Sequence, residues 1–161
     1  MPGPFSGLSV KLIATITSVI LAVAIVVYLP SVANFRQSWL ADRLRIGIVA
    51  AHVIDAVPDV MSLPKMLTDR LLNSAGAQAL VYRRAGQSEL ISLTDRPMPR
   101  AAVTADMRVT DPLTLIGEAL DTLVNGGNRT LRIVGDVDGQ NDGMVEVLMS
   151  EAPLRRDMLI Y

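Results

Sequence analysis

The sequence predicts an α+β fold, in which an N-terminal transmembrane helix continues into a long helix and then an antiparallel sheet with flanking helices. Three observations carry this expectation. An uncharged apolar run occupies residues 12–29. A helical spacing of apolar residues follows it directly. From Ala79 onward the period shortens to that of strands, with one helical interruption opening at Asp111.

The run from Leu12 to Leu29 has 18 residues, and its only polar members are Thr15, Thr17, Ser18 and Tyr28. As a helix it is about 27 Å long, close to the ~30 Å hydrocarbon core of a bilayer. Lys11 and the amino terminus mark residues 1–11 as a cytoplasmic tail, which puts residues 30–153 in the periplasm. Positive charges downstream do not reverse this, because loops longer than about 60 residues cross largely regardless of charge. Ser31-Val32-Ala33 also offers the small residues of a signal-peptide cleavage site. The apolar run exceeds the usual ~7–15 residues of a signal core, and Asn34 to Leu40 reads as helix without a break, so a retained anchor is favoured.

Pro30 stands at the membrane exit, where a helix can restart because proline tolerates a first-turn position, and the stretch that follows is continuous with the span. A second helical stretch then runs from Ser31 to Val57. Val32, Trp39, Ile46 and Val53 recur every seven residues, with Phe35, Val49 and Ala56 beside them and Asp42 interrupting. This stripe suits either a partner helix in a homodimer, as a signal-relay surface, or the domain's own core. Pro58-Asp59 ends it. Leu63 to Ser74 reads as a short amphipathic helix closed by Gly76.

Residues 79–83 and 89–93 flank Ala85-Gly86-Gln87, which is a hairpin signal. Asp95 to Pro99 is a loop. Asp111 and Pro112 are an N-cap and a first-turn proline for a helix reaching about Val124, stopped by Asn125-Gly126-Gly127-Asn128. Thr130 to Val134 and Met144 to Met149 make a second strand pair around the polar turn Gly135 to Gly143. Pro153 then introduces residues 154–161, which read as the start of a second, truncated transmembrane helix. This order of elements matches the PAS-like sensor domains attached to membranes, a resemblance of fold that names no ligand.

Three stretches carry a further resemblance: Phe5 to Leu12, Leu29 to Leu44 with Pro30, Asn34, Trp39 and Arg43, and Glu151-Ala152-Pro153-Leu154-Arg155. Together they resemble the N-terminal sensory region of an alphaproteobacterial-type membrane sensor histidine kinase of a two-component system. The resemblance implies an inner-membrane protein with a periplasmic sensor domain, a homodimer, and a response regulator as phosphorelay partner. It places ATP and magnesium in a kinase core that follows this region. His52 is followed by Val53-Ile54-Asp55 and lacks the phospho-acceptor pattern, so no cofactor is expected in these residues.

Composition narrows the remaining chemistry. A net charge of −1 gives no pull toward nucleic acid. The absence of Cys and the single His exclude disulfides, thiolate nucleophiles and multi-His metal sites. Asp136, Asp138, Asn141 and Asp142 cluster, but Met149 falls where a calcium loop needs its bidentate Glu, so a solvated turn is the better reading. Arg83, Arg84, Arg129 and Arg132 lie at strand ends, where they either converge on an anionic ligand or pair with Glu89, Glu146 or Glu151. Asn128-Arg129-Thr130 matches a glycosylation sequon, which a bacterial setting leaves without meaning. No catalytic or metal constellation emerges. The expected function is a sensory input module, with a stand-alone membrane-tethered adaptor or a secreted binding protein as alternatives.

Overall fold

The computed structural model describes residues 7–55, 65–84, 87–92, 103–137 and 143–161. Its elements are α1 (Leu8–Asp55), α2 (Lys65–Ala75), β1 (Ala79–Arg84), β2 (Gln87–Ser92), β3 (Val103–Asp106), α3 (Pro112–Asn125), β4 (Thr130–Asp136), β5 (Gly143–Ser150) and α4 (Ala152–Ile160).

The fold is α+β, with a long N-terminal helix and a small mixed sheet flanked by helices. Strand order is β2-β1-β5-β4-β3. The expected strand pairs are both present: Leu80 faces Ile91 in β1–β2, and Ile133 faces Val147 in β4–β5. β5 also pairs antiparallel with β1, which joins the two hairpins into one surface.

One expectation needs correction. The sheet is mixed rather than antiparallel, because β3 runs parallel to β4, with Ala105 beside Ile133. Parallel neighbours require a crossover, and α3 is that crossover. β3 has only four residues and its one fully buried side chain is Ala105, so no strand signal rises above the surrounding sequence. The expected continuation of the apolar helix into a long helix is present: α1 is one helix of 48 residues with Pro30 inside it. Proline leaves the Val26 carbonyl without its helical donor, and at the end of an apolar run that carbonyl can be reached by water or headgroups. The segment beyond Asp55, including Ala56, Val57 and the expected stop at Pro58, lies outside the described residues.

The environment of α1 changes sharply along its length. Every side chain from Leu8 to Tyr28 is exposed, although most are large and aliphatic. This one helix is long and apolar enough to cross a membrane. From Val32 onward the same helix lays Val32, Ala33, Leu40, Leu44, Ala50 and Ala51 into the domain core. It crosses the sheet closely: a Cβ on Gly47 would stand 2.6 Å from Val147 Cγ2, and one on Gly135 would collide with Leu44. Against α1 the sheet presents Leu80, Tyr82, Leu131, Ile133, Val145 and Val147, the alternate residues of its strands.

Local signals set the helix ends. The Asp111 carboxylate accepts from the Thr114 backbone N–H at 2.8 Å, and Pro112 occupies the first turn of α3. α2 ends in a Schellman motif. Gly76 takes φ +64°, its N–H donates to the Asn73 carbonyl, and the Ala77 N–H donates to that of Leu72.

Candidate functional site: the junction of α1, α3 and α4

α4 packs against α1 just beyond the apolar segment, and the contacts show that the two helices run in opposite directions. Trp39 Nε1 donates to Asp157 Oδ2 at 2.9 Å. The Phe35 and Tyr161 rings stack with centroids 4.5 Å apart. The Ser31 and Tyr161 hydroxyls lie 2.9 Å apart. As α4 advances from Asp157 to Tyr161, its partners on α1 retreat from Trp39 to Ser31, toward the exposed apolar run. Leu154 and Met158 of α4 are buried in the core. The Arg43 guanidinium lies over the Trp39 ring at 4.8 Å, a cation–π contact that helps hold the indole in place.

Behind these contacts is a buried network of charges. Arg36 lies on the core face of α1, one turn from both Val32 and Leu40, and its side chain is 2% exposed. Its Nη1 donates to Glu118 at 2.6 Å and its Nε to the Thr122 hydroxyl at 3.1 Å, both on α3. The Thr122 hydroxyl in turn donates to Glu151 Oε1 at 2.9 Å. Glu151 is fully buried at the N-cap of α4, yet its carboxylate does not cap that helix. Instead it takes two bonds from Arg129, at 2.8 and 3.1 Å, in a forked pair. Arg129 also reaches Asp121 at 2.8 Å, and Arg155 of α4 donates to the Leu123 carbonyl.

The electrostatics follow from these contacts. The Asn125 amide and then the Arg129 guanidinium hold the Asp121 carboxyl below its ordinary pKa. The Glu151 carboxylate pushes Arg129 above the usual guanidinium value, against the opposing effect of burial. Ions in such a place pay a desolvation cost of several kcal/mol each, so the network is stable only when complete. One atom of this network is left over: Arg36 Nη2 is buried with no acceptor among the described residues.

The residues singled out in the sequence are distributed as follows. Arg83 and Arg132 flank Glu146 on the sheet face turned away from α1, at 3.7 and 3.5 Å from its two oxygens. Arg129 is committed to Glu151 and Asp121, and the Arg84 side chain lies outside the described residues. Of the heptad stripe, Val32 is buried, Trp39 and Ile46 are half-buried, and Val53 is 38% exposed. A strict seven-residue repeat drifts about 20° per heptad around a straight helix, which carries the stripe from core to solvent. His52 is exposed in the last turn of α1. Asp136 pairs with Arg108 at 3.9 Å, while Asp138, Asn141 and Asp142 lie outside the described residues. No group of three potential metal ligands occurs among the described residues.

The expected pairing of a strand-end arginine with Glu151 is present in Arg129, whereas Arg36 and Thr122 were not singled out from the sequence. A usable signal was present: Arg36 is a lone charge at core spacing, four residues from both Val32 and Leu40. The partners of a buried charge, however, become known only once α3 is placed against α1.

No family model, curated protein or solved structure matches this chain.

Proposed function

We propose that this chain is the sensory input module of a membrane-bound sensor histidine kinase of the two-component type. In this reading residues 12–29 span a bacterial inner membrane and residues 30–153 form a PAS-like periplasmic domain. Residues 154–161 lead into a second span. The kinase core, with ATP, magnesium and the response regulator, belongs to the protein beyond this region. The kinase assignment rests on the sequence resemblance of residues 5–12, 29–44 and 151–155.

The single observation that supports the reading best is the antiparallel docking of α4 on α1 through Ser31, Phe35 and Trp39. It directs α4 toward the level at which the apolar run of α1 begins. Both helices are then mechanically joined by the Arg36–Thr122–Glu151 network to α3 and the sheet. A stimulus acts on such a device only through unequal affinity for two arrangements of the domain. The joint at α1, α3 and α4 is where a change in the domain alters the relative position of two membrane-directed helices.

The coding sequence that follows Tyr161 tests the kinase assignment. The reading requires an apolar run of about 20 residues, then a His followed by Glu or Asp on a helix, then an ATP-binding region. A stop codon at that point would sink the kinase assignment and leave a tethered adaptor.

A further inference from the structure

The sheet face turned away from α1 carries a charge where its pattern calls for an apolar residue. On β5, Glu146 stands in register with Val81 on one side and Val134 on the other, and the Leu148–Ala79 pair adjoins it. Val134, Leu148 and Ala79 are at most 4% exposed, and the Glu146 side chain is 8% exposed. A carboxylate in such a place costs desolvation, and an apolar side chain of similar size often serves stability as well or better. Stability alone therefore does not account for Glu146.

What Glu146 does hold is two arginines. Arg83 comes diagonally from β1 and Arg132 diagonally from β4, so their guanidinium groups approach its two oxygens from opposite sides. The contacts are long, at 3.7 and 3.5 Å, whereas Arg129 and Glu151 close theirs at 2.8 Å. Arg132 Nε is buried and has no acceptor among the described residues. Outward, the Arg83 and Arg132 side chains are 58% and 40% exposed. A guanidinium has five N–H donors, so among the described residues most donors of this pair lack an acceptor. Two positive charges against one negative leave the trio at +1. Asp106 and Asp136, on the same face, are engaged by Arg108.

We propose that Arg83 and Arg132 form a binding site for a small oxyanion, a carboxylate or phosphate group held between the two guanidiniums, with Glu146 beneath them as the positioning residue. Such a group supplies the oxygen acceptors that the pair lacks, in the planar geometry that guanidinium donors match. The apolar surroundings of Glu146 strengthen the attraction relative to water. Two short lengths of strand tie the site to the joint of α1, α3 and α4. Arg132 lies three residues beyond Arg129, and Glu146 lies five residues before Glu151, its forked partner. A shift of β4 against β5 on binding is thereby carried to the pair that holds the start of α4. Use of the site for the stimulus rests on the sensory reading above.

Thermal midpoints of the full chain in detergent, at fixed ionic strength, test the site with acetate, succinate and inorganic phosphate against chloride. At least one oxyanion should raise the midpoint saturably. Arg83→Ala or Arg132→Ala should weaken its apparent affinity by about ten-fold or more, the worth of a charge-assisted bond. Arg45→Ala, an exposed arginine on α1, should leave it unchanged. Where an alanine variant fails to fold, Arg83→Lys or Arg132→Lys takes its place, since lysine keeps the charge, loses the fork and should still weaken binding several-fold. Glu146→Gln makes the site more positive, which alone would tighten anion binding, so several-fold weaker binding isolates the positioning role. Repeating the titrations in phosphatidylcholine and phosphatidylglycerol bilayers separates two sources of the oxyanion. A free anion binds in both, and an anionic headgroup gives an Arg132-dependent shift in phosphatidylglycerol with no anion added. The proposal is overturned if no oxyanion exceeds chloride in any of these settings, if binding survives both arginine substitutions, or if Glu146→Gln tightens it. Trp39 emission should follow the titration where the site feeds α4. Binding that leaves the emission unmoved keeps the site and counts against the sensory reading alone.

Discussion

The hydroxyl of Tyr161 lies 2.9 Å from that of Ser31, across 130 residues of sequence. Between them the chain completes its sheet and returns, through α4, to the point where α1 leaves its exposed apolar stretch. The same Tyr161 ring stacks on Phe35, one turn further along α1. These contacts make the geometry of the α1–α4 pair measurable.

Trp39 is the sole tryptophan and its indole N–H bonds to Asp157, so its fluorescence reports docking of α4. Asp157→Ala, which removes the acceptor, should shift the emission to longer wavelength and lower stability by about 1 kcal/mol, the usual worth of one such bond. A double-mutant cycle with Trp39→Phe should show coupling. Additive effects would mean that the bond does not hold the helices together in solution.

Glu151→Ala leaves the Arg129 fork and the Thr122 hydroxyl without their buried acceptor. The expected loss is about 3–5 kcal/mol, the cost of breaking one side of a buried pair. Arg45→Ala provides the contrast, because its pair with Asp42 is exposed on both sides and joins neighbours on one helix. Its removal should cost under about 0.5 kcal/mol. Chemical denaturation of the detergent-solubilised chain measures both, and equal losses would refute the distinction.

Gly135→Ala drives a methyl group into the Leu44 side chain, and Gly47→Ala drives one into Val147. Each substitution should destabilise the domain by about 1–3 kcal/mol, the usual range for overpacking. Pairing Gly135→Ala with Leu44→Val should recover part of the loss. Thermal midpoints of the three variants provide the measurement.

Three aspartates make the stability of the fold depend on pH on the acid side. The Arg108 guanidinium lowers the pKa of Asp106, the Thr114 hydroxyl and N–H lower that of Asp111, and Asn125 with Arg129 lowers that of Asp121. A carboxyl whose pKa is lower in the folded state lends stability above its unfolded value, about 3.9, and loses it as the pH falls through the folded value. As far as these three groups determine it, stability should be level between about pH 5 and 8 and decline below about pH 4. Asp121→Asn should flatten part of that decline in a pH series of thermal midpoints.

The fold was legible where one local pattern dominates. The uncharged run from Leu12, the Asp111-Pro112 start of α3 and the Gly76 stop of α2 each depend on a few adjacent residues, and each is present. Legibility failed where the decisive partner was distant. β3 is a strand because Val103 to Asp106 pair with Leu131 to Val134 across the α3 crossover, and its own four residues carry too little signal. The heptad of Val32, Trp39, Ile46 and Val53 is regular in sequence but drifts out of the core, since a straight helix turns once in 3.6 residues. In the candidate site, Arg129 was noticed for its charge, yet its role depends on Glu151 and Asp121 arriving from other elements. Arg83 and Arg132 did come together, with Glu146 between them.

In the proposed function, residues 12–29 cross the inner membrane with the folded domain outside the cytoplasm. A membrane-impermeant maleimide applied to intact spheroplasts tests it directly, using the cysteine-free chain as background. A cysteine at Asn128, which is exposed in the turn after α3, should label without lysis. One placed at Ser6, ahead of the apolar run, should label only after the membrane is opened. Labelling of Ser6→Cys in intact spheroplasts with protection of Asn128→Cys, or release of both variants into the soluble fraction, would contradict the account.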